Sequence, residues 1–322
     1  MSQQKPDVLA ALDGILASAD TRTFPWQRVS GDGEDGKSVY VPDYRLLHDL
    51  LAVPIKQGAA RSQPSGRVAK SLDAYVAHEL RRAGFPEWAV FPRPYQPRVL
   101  APEFRELELS VQVVLKELAD YEVGTGARLK PSELRRAIAR LGRSLPGASD
   151  ANMLGRFYTK QVDVVVSDWR RGPDVLVSGK SQFSSYLNNK NNRYEEAIGE
   201  ARNLRDRYPL AAMGYAYIVR DNIFEGGAFE LLRDLLVRLR RPDGPFDATV
   251  LLVAEWDDSS LELQRIEDPA PALALPRFFE DLLDALLSYT PVDIHREVRA
   301  RRAAGEQPPG GLPPQDSSVV SD

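Results

Sequence analysis

The sequence predicts a mixed α/β (α+β) chain in three parts. These are a mainly helical N-terminal region over residues 1–150, a core over 151–302 with a mixed β-sheet flanked by helices, and a disordered tail over 303–322. Three observations carry that expectation. Apolar residues recur at helical spacing through the first half, as in Leu72, Tyr75, Val76 and Leu80. From about residue 160 Val-rich runs alternate with helical ones, the pattern of an α/β core. Beyond residue 302 Pro, Gly, Gln and Ser dominate, a composition with too little apolar surface to order itself.

Taken in order, Val8, Leu9, Leu12 and Ile15 predict a short helix within residues 5–18, and the apolar-free stretch 30–37 a loop. Leu46, Leu47, Leu50 and Leu51 predict a helix over 42–51, and 57–66 reads as a flexible connection. The next helix starts at Ser65 and stops at Gly84, ahead of Pro86. Residues 88–100 interleave three prolines with aromatics, which excludes a central strand or helix and predicts an extended arm packed on the core. Two further helices follow. One, over 102–121, turns Phe104, Leu107, Val111, Val114, Leu115 and Leu118 to one side; the other, over 131–145, carries Arg135, Arg136, Arg140 and Arg143.

The core opens with two β-rich runs, 161–167 and 175–177, on either side of Arg170-Arg171-Gly172-Pro173, which predicts a hairpin. A helix over 189–207, with Ala197, Ile198, Ala201 and Leu204 inward, leads to a strand over 211–219. A helix over 229–240, a strand over 248–254 and helices over 276–289 and 292–302 complete it.

Composition narrows the chemistry. There are no cysteines, which removes disulfides, thiolate metal sites and cysteine nucleophiles. The three histidines, His48, His78 and His295, are scattered. No apolar run approaches 18 residues and no signal peptide is apparent, so a cytoplasmic chain without membrane contact is expected. Net charge is −4, yet residues 131–193 hold eleven Lys or Arg against five Asp or Glu. Such a patch acts on a polyanion locally, because charge is screened over about 10 Å.

The hairpin concentrates the chemistry. With its turn near Arg171, opposed residues sum to about 342, so Asp163, an acid in a Val-rich strand, faces Gly179. Ser178 and Lys180 flank that glycine and share a strand face. Asp174 lies six residues from Lys180, roughly 20 Å along a strand, and is set aside.

An acid on one strand and an acid-x-Lys on the next is the signature of the PD-(D/E)xK nucleases, and this stretch resembles that superfamily. Ser178 stands where the pattern has Asp or Glu. The same departure is seen in type II restriction endonucleases that read CCGG-containing sites, whose second acid comes from the following helix in an Asn-x-Arg-x-Glu-Ala setting. Here that setting is Asn191-Asn192-Arg193-Tyr194-Glu195-Glu196-Ala197. Arg-x-Glu selects Glu195, which is favoured, and Glu-Ala selects Glu196.

The resemblance implies a restriction-endonuclease-like core and a Mg²⁺-dependent DNA endonuclease of restriction or anti-phage type, acting as a homodimer. Asp163 and Glu195 would hold the Mg²⁺. Lys180 would serve the attacking water and the phosphate, with Ser178 in a secondary role. Glu79, seven residues after Leu72 at the edge of a stripe, is a candidate third carboxylate; its plain alternative is a solvated edge residue. Arg193, Lys190, Asn188, Gln182 and Arg136 are candidate DNA contacts, and Arg93, Tyr95 and Arg98 become so if the proline-rich arm does not pack. The competing expectation is a catalytically altered, nuclease-fold DNA-binding or sensing subunit working with partner proteins of a defence complex.

Overall fold

The computed structural model describes residues 8–28, 38–58, 66–100, 104, 107–116, 135, 136, 138, 147, 148, 150–168, 171–240 and 244–306. The side chains of 28, 147, 148, 189, 190 and 306 are outside that description. The expected loop over 30–37, most of the helices expected over 102–121 and 131–145, and the tail beyond 306 also lie outside the described residues.

The N-terminal part supplies helices α1 (Val8–Ser18), α2 (Tyr44–Lys56) and α3 (Gly66–Arg82) and a ribbon of β1 (Trp26–Arg28) and β2 (Ser38–Tyr40). Asp43 caps α2 by accepting the Leu46 N–H, supplying one of the partners a helix start lacks. Strands β3 (Val90–Phe91) and β4 (Val99–Leu100) follow, and β4 pairs with β5 (Gly147–Ala148). Next come β6 (Ala151–Leu154), β7 (Thr159–Val162), β8 (Val164–Asp168), β9 (Gly172–Gln182) and helix α4 (Tyr186–Arg205). Strand β10 (Ala212–Arg220), helix α5 (Ala228–Leu239), β11 (Ala248–Trp256), β12 (Leu263–Glu267), α6 (Leu275–Tyr289) and α7 (Arg296–Glu306) end the described chain.

The main sheet is mixed and six-stranded, in the order β12-β11-β10-β9-β8-β3. Strands β9, β10 and β11 run parallel, while β8, β3 and β12 are antiparallel to their neighbours. A parallel neighbour requires a crossover, and α4 and α5 provide the two. Both pack on one face, as successive crossovers of one hand require. There Ala197, Ala201 and Leu204 of α4 and Leu236 and Leu239 of α5 cover Leu176, Tyr215, Tyr217, Leu251 and Val253. The other face, with Val164, Val166, Val175, Val177, Ile218 and Val250, is covered by α2, α3 and α6 in one cluster running from Val8 to Val298. The N-terminal helices therefore share a core with the sheet.

Three details differ from expectation and one, the packing of the 88–100 segment, agrees with it. The strand read over 161–167 breaks at Asp163: β7 turns away to pair with β6, and only β8 continues in the main sheet. The 88–100 segment does pack, contributing edge strand β3; Arg93 is tied to Glu108 and Arg98 to Asp13, so both are buried rather than offered outward. In the described turns of the 102–121 helix Val111 is buried, but Leu107 and Val114 are exposed. Finally, α7 runs to Glu306, four residues into the expected tail.

Candidate active site

Helix α3 presses its mid-section against β9, and the contact is made by an acid. Asp73 is three residues before Val76 and seven before Leu80, so it falls on the inward stripe of the helix. It is 2 % exposed. Its neighbour on β9 is Gly179, where a Cβ would stand 2.1 Å from Asp73 Oδ1. The glycine is what admits the carboxylate; alanine would displace it. Neither Asp73 oxygen has a hydrogen-bond partner. Its near cation, Lys70 Nζ, is 3.8 Å from Oδ2, an ion pair beyond hydrogen-bond range. Burial, reinforced by the Asp163 charge, pushes the Asp73 carboxyl well above the usual range, and Lys70 and Lys180 pull it back only in part.

Asp163 sits at the break between β7 and β8. Because β7 peels away, the Gly179 N–H has no ladder partner there and donates to Asp163 Oδ2 at 2.9 Å. In β8 the register pairs Val164 with Val177 and Val166 with Val175. Asp163 Oδ1 remains, 4.0 Å from Lys70 Nζ. Asp150, beside β6, accepts from Lys70 at 3.3 Å and from Gln161 at 2.8 Å. One ammonium thus stands among three aspartates. Burial works against the Lys70 charge, but Asp73, Asp163 and Asp150 outweigh it and raise its pKa.

Ser178 and Lys180 point to the opposite face of β9, toward α4, with Leu176. There Lys180 Nζ lies 3.6 Å from Glu196 and 3.8 Å from Glu200. Glu196 accepts from Arg193 at 2.7 Å. Glu200 is buried and bonds Lys160, leaving Oε2 without a hydrogen bond. Partial burial favours the neutral form of Glu196, but Lys180 and Arg193 prevail and hold its carboxyl below the ordinary value. In Glu200 burial prevails over Lys160 and Lys180, and its carboxyl is raised.

The remaining candidates are dispersed. Glu195 is exposed on α4, whereas its neighbour Glu196 faces Lys180. Glu79 is neither at the carboxylate cluster nor solvated: it is fully buried, held by Arg82 at 2.8 Å, by the Asp43 N–H at 3.2 Å and with the Tyr40 hydroxyl at 3.0 Å. Gln182 accepts from the Tyr217 hydroxyl at 2.6 Å and donates to Ser184 O. Asn188 and Arg136 are exposed, and the Lys190 side chain is outside the described residues. Asp174 is a structural acid, paired with Arg171 at 3.0 Å and His295 at 3.4 Å.

The arrangement is one β-strand with charge on both sides: Asp73, Asp150 and Asp163 with Lys70 against α3, and Lys180 with Glu196 and Glu200 against α4. The two sets feel each other, since Lys180 acts on Asp73. Among the described residues no three acid or histidine side chains stand in a ready-made metal cage. No helix of the described residues is long and apolar enough to cross a membrane. No family model, curated protein or solved structure matches the chain.

Proposed function

We propose that this protein is a Mg²⁺-dependent DNA endonuclease with a restriction-endonuclease-like core. The observation that carries the proposal is Asp73, a buried carboxylate without a hydrogen bond, set beside Asp163 across a glycine from Lys180. Burying a carboxyl without partners costs several kcal/mol, and such under-satisfied groups concentrate where chemistry is done. The order of hairpin, helix, parallel strand, helix and parallel strand supports the same reading.

The residues fit a hard divalent cation. Asp73 and Asp163 Oδ1 would hold it; they supply oxygen ligands only, as Mg²⁺ prefers. When bound, the ion would lower the pKa of a water and stabilise charge on the phosphate. Lys70 lies within 4.0 Å of all three acids and offsets their charge in part. Gly179 N–H fixes Asp163 by engaging Oδ2, so the carboxylate is oriented before substrate arrives. Lys180 Nζ lies on the other face of β9, held partly buried by Glu196 and Glu200; its charge, which already acts on Asp73, would reach a bound phosphate past the edge of the strand. Glu196 rather than Glu195 is then the α4 carboxylate of the site, and it positions Lys180. Purified protein is expected to cut duplex DNA with Mg²⁺ and not with EDTA, and Lys180→Ala to abolish cutting. Cleavage that persists in Lys180→Ala refutes the mechanism.

One observation favours a second reading. Lys180 is engaged by two glutamates on the α4 face and Ser178 brings no charge, the pattern of a nuclease fold turned to DNA binding or sensing. DNA retention with no cleavage under any divalent metal selects it.

A further inference from the structure

Helix α3 ends beside a second feature, independent of the carboxylate cluster. An open cavity of about 760 Å³ lies between α1, the C-terminal end of α3 and the proline-rich arm, within the size range of small-molecule sites. Arg81 lines it and is 6 % exposed. Its Nη2 donates to the Val90 and Pro92 carbonyls at 3.0 and 2.8 Å. Its Nε has no partner, and among the described residues no carboxylate forms an ion pair with it. Glu87, the acid whose field reaches it, is exposed. A buried guanidinium without a counter-charge is costly, and burial pulls the Arg81 pKa down to about 10.

His78 lines the same cavity at 3 % exposure, and its Nε2 is also without a partner. Other cations on the wall bring their own acids: Arg22 pairs with Asp20 and Arg301 with Glu297. Asp13, also on the wall, is occupied by Arg98. Glu87 is the remaining acid on the wall; it is exposed and among the described residues makes no ion pair with Arg81, so Arg81 is the buried cation of the wall without a bonded acid. The exposed Tyr95 ring, one face of which lies under the Arg93 guanidinium at 4.7 Å, offers its other face at the rim.

The geometry points to a binding site for a small organic anion of nucleotide size, its phosphate or carboxylate against Arg81 and His78 and its planar part against Tyr95. A guanidinium matches either anion by paired N–H donors. Titration calorimetry and thermal unfolding of the full chain at constant ionic strength test the site, with inorganic phosphate, acetate, adenosine 5′-monophosphate and adenosine as probes. Phosphate and acetate separate the two anionic groups, and at least one is expected to raise the unfolding temperature over chloride. Adenosine monophosphate is expected to bind at least tenfold more tightly than adenosine. Arg81→Gln, which removes the guanidinium and keeps a polar side chain, should weaken that binding tenfold or more. His78→Leu removes an Nε2 that makes no bond in the fold, should weaken it similarly, and serves if Arg81→Gln does not fold. Lys180→Ala should leave it unchanged, which separates this site from the nuclease proposal. Equal affinity for the nucleotide and the nucleoside, binding unaltered in both cavity variants, or no stabilisation by either anion at millimolar concentration overturns the inference.

Discussion

Helix α3 buries two acids six residues apart, and they are opposites. Glu79 is fully buried and fully engaged, with a guanidinium, a hydroxyl and a backbone N–H on its two oxygens. Asp73 is as deeply buried and has no hydrogen bond. Burial raises the carboxyl of each, but for Glu79 the Arg82 charge and hydrogen bonds counter it at every oxygen. The first acid belongs to the architecture, where it ties α3 to the start of α2 and to Tyr40. The second is buried with no bond to offset the cost, and under the proposed function it is the acid that would face a cation. The two acids are alike in depth and differ in partners, and the proposed function rests on that difference.

Six substitutions sharpen that contrast. The largest effect is on activity: Asp73→Asn, Asp163→Asn and Lys180→Ala should each lower DNA cleavage by about 1,000-fold or more, roughly 4 kcal/mol of transition-state stabilisation. Steady-state cleavage assays in Mg²⁺ measure it. Next, Glu79→Ala strands Arg82 in the interior and should cost about 3–5 kcal/mol in denaturant unfolding. A smaller effect of opposite sign is expected at Asp73. Its folded-state pKa is raised, so stability falls as pH climbs out of the ordinary carboxylate range. Asp73→Asn removes that fall and should stabilise the metal-free protein at neutral pH by about 1 kcal/mol, roughly 2 °C. If Asp73→Asn and Glu79→Ala destabilise alike, the two acids are of one kind. Smallest of all, Glu195→Ala should change stability by less than about 0.5 kcal/mol and leave cleavage intact, while Glu196→Ala frees Lys180 and slows it.

Much of this was legible in the sequence. The hairpin and its turn followed from side-chain alternation and a turn signal, both local, but the register is one residue off: Val164 pairs with Val177, so opposed numbers sum to 341, and Asp163 meets Gly179 through its side chain rather than as a ladder partner. The α4 stripe of Ala197, Ala201 and Leu204 likewise packs as its spacing indicates. Asp73 was readable by the argument that selects Glu79: one lies seven residues before Leu80, the other seven after Leu72. Spacing places both acids on the helix's inward side but says nothing of what each meets there. The glycine opposite Asp73 and the arginine beside Glu79 decide the difference. Asp150, Lys160 and Glu200 escaped notice because their partners are distant in the chain. Lys160 meets Glu200 and Asp150 meets Lys70 only once β7 leaves the sheet. The break itself sits at an acid in a Val-rich run, a signal that a strand would not continue unaltered.

Lys70 gives a finer probe. Its ammonium lies within 4.0 Å of Asp73, Asp150 and Asp163, so it competes with any divalent ion for their charge. Lys70→Met should tighten Mn²⁺ binding about tenfold by calorimetry; weaker binding would mean that Lys70 organises the acids rather than rivals the metal.

The most direct measurement is a calorimetric titration of Mn²⁺ into the wild-type protein, Asp73→Asn and Glu79→Gln, with folding checked by circular dichroism. Saturable binding is expected in the wild type and in Glu79→Gln, and its loss in Asp73→Asn. An Asp73→Asn isotherm that matches the wild type, or a wild type that takes up no metal, contradicts the assignment of the unpartnered α3 carboxylate to a cation site.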